Sequence, residues 1–331
     1  MSRIVTECDS NKWKKFLINH SEGNIFQSEE IYSVYLKTKN YSPIKLFSIN
    51  ESNGDIEGLL ISNTINDMGK IMGFIGSRTI IQGGPLIKNN SKHVLIKLIG
   101  YYNRIIKNKT IFTEIRNSYE VKDFLSNIDY EYEDHLNYHI NLTLGIDKLW
   151  SNIHKSRKKN IKKSDKKGVI IEEINNEDEM NEFNRLLKET YDDVKIPLAD
   201  RSLFNEAYKQ LYPKGLMKIF FAKYKGMYIG TRAILLFKDV IFDWYAGSSR
   251  DHLNLNPDSI IVWHLLKWGY ENGFSLFDFG GAGKPEVFYG PREFKRRFGG
   301  KLVCYGRYTK VHSPIKMKFA LKGFELYKKI T

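Results

Sequence analysis

Cysteine is nearly missing from this chain. Cys8 and Cys304 are its only two, far apart in sequence. Such a pair makes no disulfide framework, and a reducing compartment is the simpler setting. Long apolar runs are missing too, so no transmembrane helix of about 18 residues or more is expected. The opening MSRIVTECDSNKWKKF has no apolar centre, so it does not read as a signal peptide, and a cytoplasmic protein is expected. No P-loop, G-x-G-x-x-G or H-E-x-x-H occurs, and the eight histidines are scattered. His135 and His139 lie four apart, but in a strand-like context. No metal site or bound cofactor is therefore expected. Acidic residues are in deficit, 38 against 52 Lys and Arg, a formal net charge of +14. That balance points to an anionic partner: phosphate, nucleotide, nucleic acid or a membrane surface touched peripherally.

What is present is enough for two domains. The chain has 331 residues, 42% hydrophobic and 14% aromatic, which suits packed cores and argues against disorder. Short helices are predicted at 11–20 and at 28–38, the second capped by Ser28. Strands are predicted at 44–49, 56–62, 73–76 (GFIG), 79–86 and 110–116, with a helix from Ser91 to about Asn108 between the last two. HINLTL (139–144) reads as a further strand. The second half repeats this order. Strands 216–224 and 228–237 form a hairpin, VIFDWYAGS follows, and a helix opens at Pro257. That helix ends before Gly273, and FSLFDF (274–279) is the next strand. The hairpin glycines Gly58 and Gly230 are 172 residues apart, and the post-helix strands begin at Thr110 and Phe274, 164 apart. Two diverged copies of one α/β unit explain both offsets. Hairpin, strand, helix, strand is the order of an N-acetyltransferase-like (GNAT) fold. The fold class expected is α/β (α+β): two tandem GNAT-like domains, mixed sheets flanked by helices, split as residues 1–145 and 146–331.

The charge is concentrated. HKSRKKNIKKSDKKG (154–168) carries eight Lys or Arg against Asp165. Asp147 is a good N-cap and Gly168 a good stop, so one helix is predicted between them. Trp150, Ile153, Arg157, Asn160 or Ile161, and Ser164 share one face. Lysines surround it, and Lys155 with Lys159, Lys158 with Lys162, and Lys159 with Lys163 repel at i,i+4. A solvated linker helix and an unspecific nucleic-acid grip are the plain readings of such a segment.

Three motifs say more. Lys158, Asn160, Ile161, Lys162, Lys163, Lys166, Gly168 and Val169 stand on a pattern K-x-R-R-N-I-R-K-A-x-K-x-G-V, with Arg157 next to its two arginine positions. FDFGG (277–281) stands on D-F-G-G, and REFKRRFGG (292–300) on F-K-x-x-F-G-G. NIFQSEEIYSVY near the N-terminus matches an F-x-Q-S segment. In order and spacing the chain resembles the Fem-type peptidyl aminoacyltransferases (FemABX) over nearly its whole length, without the long coiled-coil arm of some members.

The resemblance implies two GNAT domains that move an aminoacyl group from aminoacyl-tRNA to an amine of a cell-envelope precursor. That acceptor is a peptidoglycan-type peptide or a polysaccharide amino sugar, on a nucleotide- or lipid-linked anionic carrier. Such a transfer needs a proton acceptor for the amine, a positive charge for the tetrahedral oxyanion, and cations for phosphates. Lys295, on F-K-x-x-F-G-G, is the candidate for the oxyanion or donor ester, with Phe294 and Phe298 beside its stem. Asp278 is the candidate proton acceptor or partner of Lys295; capping the turn after its strand is the alternative. Arg157, Lys158, Lys162, Lys163 and Arg296 are candidates for the anionic substrates, and Tyr245 and Lys37 for the acceptor. Two departures from the family touch acceptor recognition. Asp193, in KETYDDVKIP, stands where several members have an arginine. Tyr35 stands at a lysine position, with Lys37 two residues on. GGPLIKNNS and SSRDHLNLNPDS lack the Q/R-x-x-G-x-G/A loop that holds coenzyme A, which argues against acyl-coenzyme A as donor. Two readings compete with tRNA-dependent transfer: an amino-sugar N-acyltransferase using an acyl thioester, and a non-catalytic nucleic-acid-binding protein. The last needs the 154–168 face and nothing from 278–300.

Overall fold

The computed structural model describes residues 2–66, 77–319 and 322; the strand expected at 73–76 lies outside them. The chain forms two compact units, Met1–Asp134 with Tyr305–Thr331, and His135–Cys304. The division lies eleven residues before the one expected at 145/146, and the C-terminal segment returns to the first unit.

The first unit contains β1 (Ser2–Val5), α1 (Ser10–Asn19), α2 (Glu29–Lys37), β2 (Tyr41–Asn50), β3 (Ile56–Asn66), β4 (Ser77–Gln82), β5 (Leu86–Ile87), α3 (Lys92–Ile106), β6 (Phe112–Arg116), α4 (Lys122–Leu125) and β7 (Glu131–Glu133). The second contains β8 (Leu136–Asn141), α5 (Ile146–Asn152), α6 (Lys155–Lys166), β9 (Ile170–Glu173), α7 (Met180–Asp193), α8 (Arg201–Leu211), β10 (Met217–Tyr224), β11 (Met227–Phe237), β12 (Val240–Ser248), α9 (Pro257–Glu271), β13 (Leu276–Asp278), α10 (Gly290–Arg296) and β14 (Lys301–Cys304). The last strand, β15 (Arg307–Val311), belongs to the first unit again. Local chemistry sets several starts: Asp9, Ser28 and Ser91 each accept a backbone N–H of the first turn of α1, α2 and α3.

The two mixed sheets have one strand order. In the first it is β1-β2-β3-β4-β6-β15-β7, with β5 beside β3; in the second it is β9-β10-β11-β12-β13-β8-β14. The parallel neighbours correspond as well, β4 with β6 and β12 with β13. The sixth strand of each sheet comes from the other half of the chain: β15 closes the first sheet and β8 the second. HINLTL, expected in the first domain, lies in the second unit instead. Its residues up to Asn141 pair antiparallel with β13 and β14.

The duplication is visible in detail. Both hairpins carry a register shift beside the matched glycine, between Ser48 and Ile49 and between Ala222 and Lys223. A Cβ on Gly58 would lie 2.9 Å from Val94 and 3.3 Å from Leu98 on α3, and a Cβ on Gly230 would lie 2.7 Å from Pro257 and 3.4 Å from Ile261 on α9. Each glycine thus lets the long helix press onto its sheet. The core under α3 holds Leu46, Leu60, Leu95, Leu98 and Tyr102; the core under α9 holds Ile229, Ile234, Ile261, Leu265 and Phe277.

The single basic helix expected from Asp147 to Gly168 is two helices. Ile153 adopts extended backbone after α5, and His154 caps α6. The break buries Ile153 and lets the His154 N–H donate to Arg297 O at 2.9 Å. Ile161 and Ser164 face inward, and Ser164 Oγ donates to Leu255 O at 2.5 Å.

Candidate active site

Strands β12 and β13 pair over only three residues, Val240–Phe242 with Leu276–Asp278. Past that point β12 continues to Ser248, while the chain after Asp278 turns away through Gly280 at φ +74° and Gly281 at φ +134°. A Cβ on Gly280 would lie 2.9 Å from Asp243 O, so the turn needs glycine for both conformation and room. The opening lies at the carboxyl ends of two parallel strands, beside the start of the helix joining them, where open α/β sheets hold ligands.

The turn is built from buried polar groups. Asp278 Oδ1 accepts Gly280 N–H at 2.7 Å and Asn137 Nδ2 at 2.6 Å. Asn137 Oδ1 accepts Gly281 N–H at 2.9 Å and Tyr138 N–H at 2.8 Å. The other carboxylate oxygen of Asp278 lies 3.3 Å from His139 Nε2. The geometry is that of the turn-capping alternative: Asp278 positions the loop, with one oxygen taken up by two donors and the other facing His139. In the first unit, Glu114 occupies the corresponding place on β6. Arg116 and Arg307 hold it, the latter at 3.2 Å.

Lys295 lies on α10, and its ammonium donates to Phe279 O at 2.6 Å and Gly281 O at 2.5 Å. Two of its three protons are thereby fixed and one remains for a ligand. Burial lowers its pKa to about 8. The charges of Asp243 and Asp278 oppose that fall, and Arg232 adds to it. Its stem lies near Phe279, whose ring centroid is 5.6 Å from the ammonium. Phe294 and Phe298 pack on each other at 5.2 Å. Arg157 completes this side, with its guanidinium 4.3 Å from the Phe294 ring and one amino group donating to Ser259 Oγ at 2.8 Å. Burial, then the nearby Arg297, lowers the Arg157 pKa.

Sequence reasoning missed several residues here. Buried Arg232 donates to Asp243 at 2.5 Å and lies 3.5 Å from Asp258. Burial opposes its charge, but the two carboxylates outweigh it and raise its pKa. Tyr191, half-buried, has its hydroxyl pKa pushed up by burial and then by Tyr245, Tyr289 and Asp243. Asn137 and His139 come from β8, about 140 residues before the motif they support, so no local spacing announces them. Asp243 lay inside the quoted VIFDWYAGS and was readable as a polar residue in an apolar strand.

The remaining candidates separate. Tyr245 packs against Phe204 at 4.8 Å, Trp244 at 5.0 Å and Tyr191 at 6.0 Å, which gives it a rim-packing place. Arg296 is exposed and spends its guanidinium on Glu293, at 2.9 Å within its own helix. Lys37 is exposed on α2 of the first unit. Lys163 faces outward, whereas Lys158 and Lys162 reach over the Trp150 ring. Asp193, expected where several members of the resembled family have an arginine, is met by Arg250 at 2.5 Å. Among the described residues no lysine of α6 pairs with a carboxylate, and no cluster of metal-ligating side chains occurs. Among the described residues no helix is long and apolar enough to cross a membrane.

Comparison with known proteins agrees with this architecture. Residues 151–296 match the family model described as acetyltransferase (GNAT) domain. The fold is shared with the crystal structure of FemX, at 14% identity and TM-score 0.72 over 93% of this chain and 97% of that one. It is shared with a tandem GNAT protein from the clavulanic acid biosynthesis pathway, at 9% and 0.61 over 95% and 99%. The C-terminal domain of a putative lysylphosphatidylglycerol synthetase from Agrobacterium fabrum matches at 11% and 0.58 over 95% and 94%. No curated protein matches the sequence. The chain has a duplicated GNAT-type fold like that of FemX, and the stretch that matches the acetyltransferase (GNAT) domain lies in its second unit.

Proposed function

We propose that the chain is an acyltransferase that forms an amide on an amine of a cell-envelope precursor, with aminoacyl-tRNA as donor. The observation that carries this reading is Lys295, held by two backbone carbonyls at the opening between β12 and β13 with one ammonium proton left over. A donor carbonyl placed there receives that proton's hydrogen bond as its oxygen becomes an oxyanion. In a partly dry site such a charge is worth far more than in water. The incoming amine attacks the ester carbon, the ester C–O bond breaks, and the amine's proton leaves to solvent or to the departing hydroxyl. Asp278 and Asn137 hold the loop that aims Lys295. Arg157, beside Phe294, suits a phosphate or carboxylate of a substrate.

An anionic donor is supported by the unpaired lysines of α6, and an aminoacyl donor by the FemX likeness over both units. The shared fold with a tandem GNAT protein keeps an acyl-thioester donor and an amino-sugar acceptor as the second reading. Incubating the purified chain with charged tRNA or with acyl-coenzyme A, each with amine-bearing envelope precursors, separates the two by product mass. Mass gain by one aminoacyl residue, abolished by ribonuclease treatment of the donor, is expected. Transfer from acyl-coenzyme A alone contradicts the donor assignment, and RNA binding without any product favours the binding protein.

A further inference from the structure

We propose that Trp150 and Trp263, together with Lys158, Lys162 and Lys267, form a stacking platform for the single-stranded end of an RNA; this rests on the donor reading above. The two indole rings meet at 4.9 Å, one from α5 and one from α9. Lys158 and Lys162 place their ammoniums 5.8 and 5.9 Å from the Trp150 ring, and Lys267 lies 5.9 Å from the Trp263 ring. Three like charges therefore converge on one aromatic pair. Lys158 donates to Ser151 O at 3.0 Å, at the end of α5, and none of the three pairs with a carboxylate among the described residues. Core packing accounts for the inner edges of the rings, since both lie against the cluster under α9. It does not account for bringing uncompensated cations together, which costs free energy until an anion arrives. Alternating bases and phosphates match such a surface, because rings stack with any base and lysines neutralise the backbone.

The platform has a direction. Ser259, Trp263 and Lys267 are spaced four apart on α9 and so share a face, about 12 Å from first to last. At its Ser259 end stands Arg157, whose guanidinium covers Phe294, the residue before Lys295. A strand stacked on the tryptophans is thus led toward the candidate reaction centre. Both rings are half-buried, too deep to insert into a bilayer as interfacial tryptophans do, which favours RNA over a lipid surface.

The test is anisotropy of a labelled short single-stranded RNA, with a duplex of the same sequence and phosphatidylglycerol vesicles as comparisons. Trp150→Leu and Trp263→Leu should each weaken single-strand binding by about tenfold, and Trp150→Phe by less, because a ring remains. Duplex binding should change little. The charge changes Lys162→Gln, at an exposed position, with Lys267→Gln, at a half-buried one, should lower the salt slope by about 1.4, roughly 0.7 per lysine; this pair answers the question if a tryptophan variant fails to fold. Unchanged RNA affinity in the leucine variants, or weakened vesicle binding with RNA binding intact, overturns the platform. If Trp150→Leu turns over aminoacyl-tRNA at the normal rate, the platform fails while the donor assignment stands. If the unaltered chain binds no RNA and transfers only from a thioester, the donor assignment itself fails.

Discussion

Lys295 is a charge kept where charge is costly. Its ordinary pKa of 10.5 falls to about 8 mainly through burial. The sign of the consequence follows from linkage. Below about pH 8 the ammonium is present in both folded and unfolded chains, and its burial penalty is fully felt. Between about 8 and 10.5 the folded chain gives up the proton first, so stability rises with pH; above 10.5 the penalty is gone. Urea unfolding should show the unaltered chain gaining stability across that window, while Lys295→Met, which has no such proton, lacks this gain. Parallel pH curves for the two would contradict the burial. Asp278 makes a second prediction. Asp278→Ala strands the Gly280 N–H and the Asn137 amide and should cost about 1 to 3 kcal/mol of stability. Asp278→Asn keeps an acceptor oxygen and should cost less, as denaturation midpoints will show. Lys295 could be picked out beforehand because the F-K-x-x-F-G-G resemblance marks it. Asn137 and His139 could not, because they meet Asp278 only through sheet pairing. Asp278 itself was legible as a residue and ambiguous as a role. Only its hydrogen bonds separate a turn cap from a proton acceptor.

Helices and strands were more legible than their boundaries. The matched glycines predicted a duplication, and the structure gives that match a cause: each lies under the long helix of its unit. Gly230→Ala would set a Cβ 2.7 Å from Pro257. Such overpacking should cost about 1 to 3 kcal/mol, visible as a lowered Tm, with Gly58→Ala behaving alike against Val94. The basic segment was legible in composition but not in shape. Capping residues at both ends suggested one helix, whereas His154 supplies an internal cap that sequence patterning does not distinguish from another polar residue. Changing Lys158, Lys162 and Lys163 together to Gln should weaken binding of an anionic donor and flatten its salt dependence by about 2, at roughly 0.7 per lysine for a single strand. Binding with unchanged affinity and slope would make α6 a solvated face only.

For the molecule as a whole, the exchange of β8 and β15 is the feature that no reading of local pattern anticipates. Each strand is an ordinary strand in sequence; which sheet it completes depends on pairing across more than a hundred residues. A fragment spanning 135–304 holds all seven strands of the second sheet and should fold with a cooperative unfolding transition. A fragment beginning at 146 lacks β8, leaves β13 and β14 without their common partner, and should not fold. Equal cooperativity of the two fragments by circular dichroism would show that the exchange is unimportant for folding.

The account stands or falls on the oxyanion charge in the intact chain. Single-turnover transfer from aminoacyl-tRNA to an amine-bearing envelope precursor should slow by about a hundred- to a thousandfold in Lys295→Met, the range for losing one oxyanion donor. Donor binding should change much less, and Lys295→Arg should restore little, because a planar guanidinium cannot occupy the same point. A folded Lys295→Met chain that transfers at the normal rate would contradict the account and leave the turn N–H groups of Gly280 and Gly281 as the place to look for the oxyanion.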